Sequence, residues 1–153
     1  MATTEKATAA DAASVSIQDV SRLSGLSEAT LRYYEKIGLI APVPRDESSG
    51  HRRYGGPAVE TIQALGCLRA TGMSVQDMRA YLRHLDGADG DAARMRALFE
   101  RNAERVEQEI GHLRVRLRYL RLKADLWDAR ERGDAEAEHR SVEKITHTAR
   151  ELR

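Results

Sequence analysis

Apolar residues recur at helical spacing through most of the chain, and glycine, proline or a capping residue marks each break. Ser16-Ile17-Gln18-Asp19 reads as a capping box with Asp19 in place of the usual glutamate. The helix it opens carries Ile17, Val20 and Leu23 on one face. Gly25 turns the chain, and Ser27 caps a second helix that ends before Gly38. Two short helices joined by a glycine turn describe a helix-turn-helix, although any short helical pair has this pattern. Pro42 and Pro44 block helix continuation. Around the turn-rich residues 46–50, Arg45 and the run His51-Arg52-Arg53-Tyr54 predict two short hairpin strands. Pro57 suits the first turn of a third helix, which reaches about Thr71 and stops at Gly72. Ser74-Val75-Gln76-Asp77 caps a fourth helix bearing Met78, Tyr81, Leu82 and Leu85.

The longest periodic signal comes next, over residues 91–132. Phe99, Ala103, Val106, Ile110, Leu113, Leu117, Leu120, Ala124 and Trp127 alternate in steps of four and three. This is a coiled-coil seam sustained for about four heptads, flanked by Arg and Glu. Such a stripe needs a partner. A second copy is the simplest one, and folding back on the chain's own N-terminal domain is the other. Gly133-Asp134 breaks the helix. In the tail, 133–153, Val142, Ile145, Ala149 and Leu152 sit at helical spacing, so it forms a short helix that caps the dimer, or it frays. The fold class is therefore mainly α: a winged helix-turn-helix domain over 15–86, a hinge over 87–90, and a long dimerising helix. The segment 1–14, rich in Ala and Thr, reads as a disordered tail.

Composition narrows the function. The 153 residues are 41% hydrophobic, 32% charged and 5% aromatic, which suits a modest core with long solvated helices. Net charge is +1, so any basic surface must be local. No apolar run approaches the roughly 20 residues needed to span a bilayer, and 1–14 lacks the apolar stretch of a secretory signal. A cytoplasmic, nucleoid-associated protein with no membrane partner is expected. One cysteine, Cys67, excludes an internal disulfide and a multi-cysteine cage within one chain. His84, His112, His139 and His147 are scattered, and there is no phosphate-binding glycine loop. Neither a metal, a cofactor, a catalytic residue nor an enzymatic activity is expected.

Two segments concentrate polar, cationic and aromatic groups: Ser27-Glu28-Ala29-Thr30-Leu31-Arg32-Tyr33-Tyr34-Glu35 and Gly50-His51-Arg52-Arg53-Tyr54. They read as a recognition helix and its wing, which points to DNA. A coiled-coil adaptor would leave both unexplained. With Ile37-Gly38-Leu39-Ile40 and Thr71-Gly72-Met73-Ser74, these motifs resemble the MerR family of bacterial transcription regulators. The resemblance covers roughly residues 16–86, plus the coiled coil by architecture. His51 stands where the family usually has Tyr. The resemblance implies a homodimer with an antiparallel coiled coil on near-palindromic double-stranded promoter DNA. It also implies that RNA polymerase is served by bending and untwisting an overlong spacer.

Within that frame, Arg32 is the first choice for a contact in or beside the major groove. Thr30 and Glu28 lie near the helix start that Ser27 caps, where side chains reach base edges. Tyr33, Lys36 and Arg45 are expected at phosphates. Tyr34 is open between phosphate contact and core packing. In the wing, Arg52 and Arg53 are expected to grip the backbone beside His51, with Tyr54 supporting the hairpin.

The effector is less legible. Gly66-Cys67-Leu68-Arg69-Ala70-Thr71-Gly72-Met73 resembles the aldehyde- and electrophile-responsive branch of the family, the AdhR and NmlR type, and Arg96, Leu120 and Lys123 also fall where that branch has similar residues. At about 100° per residue, Cys67 lies roughly 130° from the centre of the stripe formed by Val59, Ile62, Leu65 and Gly66. A sensing thiol, with Lys123 or Arg69 supplying positive charge, is one reading. An inert cysteine at an interface is the other. Further alternatives are a non-covalent ligand among Tyr81, Phe99, Tyr119 and Trp127, or an architectural DNA-binding protein with no effector.

Overall fold

The computed structural model describes residues 14–87 and 92–153. Apart from Ser14 and Gly87, the expected tail over 1–14 and hinge over 87–90 lie outside the described residues. The chain divides into two compact units, Met1–Leu98 and Phe99–Arg153.

In the first unit, hydroxyl caps start three of the four helices. Helix α1 (Ile17–Ser24) begins at Ser16, whose Oγ accepts from the Asp19 amide at 3.2 Å and donates to the Asp19 carboxylate at 3.0 Å. Helix α2 (Glu28–Lys36) begins at Ser27, whose Oγ accepts from the Thr30 amide at 3.0 Å. Helix α4 (Val75–Leu85) begins at Ser74, which accepts from the Asp77 amide at 3.1 Å. Each hydroxyl satisfies an amide that has no carbonyl partner within its helix. Helix α3 (Gly56–Ala70) has Gly55 at its cap and a proline in its first turn.

These helices close on a core of Val20, Leu26, Leu31, Tyr34, Leu39, Ile40, Tyr54, Ile62, Leu65, Met73 and Met78. Leu31 and Tyr34, three residues apart, form the inward face of α2. Helix α1 approaches α3 at a glycine: a Cβ on Gly66 would stand 2.1 Å from the Ser24 carbonyl oxygen. The absence of a side chain there lets the two backbones meet.

The wing is a tight turn, not the pair of strands that the sequence predicts. Arg45 and Arg52 form one antiparallel bridge, and Val15 and Tyr54 form another. The Arg53 amide donates to the Pro44 carbonyl at 2.8 Å, but proline has no amide with which to return the bond, so the ladder stops. The Asp46 carboxylate closes the turn by accepting from the Ser48 amide at 2.9 Å, the Ser48 hydroxyl at 2.6 Å and the Ser49 amide at 3.0 Å. These bonds, the Ser48 hydroxyl's first, hold its carboxyl far below the usual carboxylate range.

Helix α5 (Ala92–Arg132) runs 41 residues without a break, about 60 Å at 1.5 Å per residue. In the second unit, Gly133 turns the chain at φ 68° and Asp134 caps α6 (Ala135–Glu151) by accepting from the Ala137 amide at 3.0 Å. The tail that the sequence leaves short or frayed is thus a 17-residue helix. It runs back along α5, with Arg130 bonded to Glu138 at 2.8 Å and Arg118 to Glu151 at 3.2 Å.

The inward positions of α6 are Ser141, Ile145 and Thr148, while Val142 and Leu152 are exposed. The buried stripe is therefore displaced from the one that hydrophobicity marks. Small polar residues replace large apolar ones here, and Ala129 on α5 is likewise small and buried. On α5 the buried residues Leu126 and Ala129 and the half-buried Leu122 lie two positions on from the seam's Leu120, Ala124 and Trp127. That offset is about 200°, nearly the opposite face. The seam itself is uncovered in the single chain: Leu113 is 55% exposed, Leu117 47% and Leu120 65%.

Candidate nucleic-acid interface

Because Leu31 and Tyr34 anchor α2 inward, helical geometry turns Arg32, Tyr33 and Lys36 outward, and all three are exposed. Arg32 has its nearest carboxylate, Glu28, at 3.9 Å. Such a loose exposed pair is easily exchanged for a phosphate or a base edge. Thr30 accepts hydrogen bonds from the Ser27 hydroxyl at 2.9 Å and from Arg69 at 3.4 Å. Arg69 is a cation that sequence reasoning did not assign to this surface. It sits in the last turn of α3, and only the tertiary fold brings it to the start of α2.

An open groove of about 440 Å³ runs between the start of α1, the Glu28 and Arg32 side chains, and the wing from Arg45 to Arg53. Arg45 and His51 are exposed on its wing side, with Arg45 also donating to the Gly50 carbonyl at 3.2 Å. The groove thus gathers arginines from two elements around an exposed helix face, the arrangement that contacts to a phosphate backbone require.

Four other residues of the two segments are engaged within the fold. Tyr34 is 3% exposed and packs in the core, the second of its two readings. Burial pushes its phenol above the ordinary value, so the neutral form is retained. Tyr54 is fully buried, consistent with a support for the hairpin rather than a contact. Its hydroxyl has no hydrogen-bond partner among the described residues.

Arg52 and Arg53, expected at the phosphate backbone, each bond to acceptors within the fold. Arg52 Nε donates to the Glu35 carboxylate at 2.7 Å, with the two side chains 20% and 17% exposed. Arg53 donates to the Ser14 carbonyl at 2.8 Å and to its hydroxyl at 3.3 Å. The physical reason is shared: a half-buried guanidinium must find acceptors within the fold. Glu35 also accepts from the Val43 amide at 3.2 Å. Burial alone would raise its pKa, but the Arg52 and Val43 hydrogen bonds outweigh that and hold it below the ordinary value.

Cys67 is exposed on α3. Lys123 lies on α5 with its ammonium 5.6 Å from the centre of the Tyr119 ring, and the Arg130 guanidinium lies 4.8 Å from that of Trp127. Phe99 and Trp127 stand 28 positions apart on one helix, about 42 Å. One copy of α5 therefore cannot gather them around a small ligand. Among the described residues no group of at least three His, Cys, Asp or Glu side chains is placed to hold a metal ion, and no helix is long and apolar enough to cross a membrane.

Comparison with known proteins agrees with this geometry. Residues 15–85 match the family model described as MerR HTH family regulatory protein. A helix-turn-helix-type transcriptional regulator of Haemophilus influenzae is 36% identical over 98 residues, covering 64% of this chain and 70% of its own. The transcriptional regulator AdhR of Bacillus subtilis is 40% identical over 67 residues, 44% of this chain and 47% of its own. Among solved structures, the crystal structure of HiNmlR, a MerR family regulator lacking the sensor domain and bound to promoter DNA, superposes with a TM-score of 0.63. It is 31% identical and is matched over 82% of this chain and 95% of its own. With its exposed α2, its adjoining wing and a long helix beyond them, the chain belongs to the MerR family and is a DNA-binding transcription regulator, not an enzyme.

Proposed function

We propose that the protein acts as a homodimer on near-palindromic promoter DNA, where it bends and untwists an overlong spacer so that RNA polymerase can engage both promoter elements. The observation that carries the dimer is the two-sided α5. One face is covered by the chain's own α6, and the opposite face presents Leu113, Leu117 and Leu120 uncovered. An exposed apolar stripe of this length marks an interaction site. A second copy satisfies it with the same stripe, as a two-fold interface requires. An antiparallel pair centred on Leu113 sets Phe99 against the partner's Trp127. Aromatic side chains then close both ends of the seam.

Two-fold symmetry also gives the DNA geometry. Two copies of α2 reach successive major grooves about 34 Å apart, so the half-sites lie one helical turn from each other. Arg32, Tyr33, Thr30, Lys36, Arg45 and His51 make the contacts on each side. HiNmlR, which this chain covers to 95%, was solved on promoter DNA, and that supports the same ligand here. Distortion of the spacer between the half-sites is then part of the binding energy and can be switched.

Cys67 is the switch in this reading, because its thiol is exposed on the domain that holds the DNA. Addition of the thiol across an aldehyde carbonyl forms a carbon–sulfur bond and passes the proton to the carbonyl oxygen, giving a hemithioacetal without an oxidant. Single-round transcription with wild type and Cys67→Ser, each with and without a small aldehyde, tests this step. Only the wild type is expected to respond, and an equal response from both removes Cys67 from the mechanism. For the dimer, Leu117→Glu buries a charge in mid-seam. It is expected to give a monomer in sedimentation equilibrium and to lose promoter binding. A variant that sediments as wild type refutes the interface.

A further inference from the structure

Among the groups that the reading above leaves unused, Glu35 is the most demanding to explain. It lies in the last turn of α2, where the negative end of the helix dipole disfavours a carboxylate. It also adds negative charge to a surface that must meet phosphates. Its surroundings supply a reason. One oxygen accepts from Arg52 Nε at 2.7 Å and the other from the Val43 amide at 3.2 Å. A single side chain therefore ties α2 to both strands of chain that frame the wing. With the two side chains 20% and 17% exposed, the pair is shielded from solvent and salt far more than a surface ion pair.

We propose that Glu35 is a positioning residue for DNA recognition: it fixes the wing against α2 and withholds the Arg52 guanidinium from the phosphate backbone. Discrimination between sequences is thereby favoured over raw affinity. Arg52 is the only wing arginine with this arrangement among the described residues, since Arg45 is exposed and Arg53 is bonded to Ser14. With the carboxylate gone, Arg52 is free to swing outward and make a sequence-independent contact. The wing then loses its fixed angle to α2. The proposal rests on the DNA-binding reading above.

The test is a double-mutant cycle with full-length wild type, Glu35→Gln, Arg52→Gln and the double variant. Fluorescence anisotropy reads binding to a duplex of the gene's own promoter and to a scrambled duplex, between about 50 and 200 mM salt. Glu35→Gln is expected to steepen the slope of log K against log salt by about 0.9, one added phosphate contact, on both duplexes. Scrambled-duplex binding tightens about fivefold to tenfold at the low-salt end, while promoter binding gains less because the wing is no longer held against α2, so the specificity ratio narrows. Arg52→Gln alone leaves the wild-type slope, whereas in the Glu35→Gln background it restores that slope. A stabilising ion pair with no role in recognition would move the melting temperature but not this cycle. The proposal is overturned if Arg52→Gln alone flattens the slope, if Glu35→Gln leaves it unchanged, or if the double variant stays steep. Should Glu35→Gln fail to fold, the Arg52→Gln slope still decides. If wild type itself does not prefer its promoter, the DNA-regulator reading fails before the variants are compared.

Discussion

Gly66→Ala is the sharpest structural test of how the DNA-binding unit is assembled. An alanine Cβ at this position would stand 2.1 Å from the Ser24 carbonyl oxygen and 3.0 Å from its carbon. The distance to oxygen is about 1 Å or more short of ordinary contact. The obstructing atoms are backbone, so no rotamer change relieves the clash and α1 must move from α3. Alanine is favoured over glycine within a helix by about 1 kcal/mol, while overpacking a tight contact costs about 1–3 kcal/mol. Because the neighbour is rigid, the upper part of that range applies, and the net loss is about 1–2 kcal/mol. For a unit of this size the melting temperature falls by about 4–16 °C. Gly111→Ala supplies the control, because nothing lies within 4 Å of its added Cβ. There the propensity gain stands alone, and stability rises by about 0.5–1 kcal/mol. Thermal unfolding by circular dichroism, at matched protein concentration because assembly shifts the midpoint, distinguishes the two. A Gly66→Ala protein as stable as wild type would refute the close approach of α1 and α3.

Other expectations concern single groups. Ser27→Ala removes the acceptor of the Thr30 amide at the start of α2, and denaturant titration is expected to show a loss of about 1 kcal/mol. Tyr54→Phe deletes a buried hydroxyl that has no partner among the described residues. Stability is expected to stay level or to rise, since an unsatisfied polar group costs free energy when buried; a marked loss on thermal melting would reveal a bond to that hydroxyl. The Glu35 carboxyl is held below its ordinary value of 4.5 in the folded protein. Its contribution is therefore fully present above that value and fades as pH falls through the lowered folded value. The melting-temperature gap between wild type and Glu35→Gln is expected to be constant above about pH 5 and to close in acid. A gap that widens in acid would reverse the sign.

Local chemistry was the legible part of this chain. Ser16, Ser27 and Ser74 act within three residues of themselves, so their roles as caps can be read from the string. The long helix α5 is legible because its apolar period repeats over many turns. What escaped reading depends on distance along the chain. Arg52 meets Glu35 across 17 positions and Arg53 meets Ser14 across 39, so two arginines that resemble phosphate ligands are engaged within the fold. The turn-rich residues 46–50 suggest a hairpin with two strands, whereas Pro44 cannot donate to a ladder. The inward face of α6 is not legible from hydrophobicity, because Val142 is exposed while the small polar Ser141 and Thr148 are buried beside Ile145. Within the site, exposed Arg32, Tyr33 and Lys36 follow from the inward pair Leu31 and Tyr34. Arg69 reaches Thr30 only through the packing of α3.

The proposed function requires that this chain, as a dimer, prefer a two-fold site in its own promoter. Quantitative footprinting of purified protein on that promoter, with a scrambled duplex as competitor at about 150 mM salt, measures it. The account predicts protection of two half-sites one helical turn apart, with hypersensitive cleavage between them where the DNA is distorted, at protein concentrations that leave the competitor unbound. Uniform protection, or equal affinity for both duplexes, would contradict it.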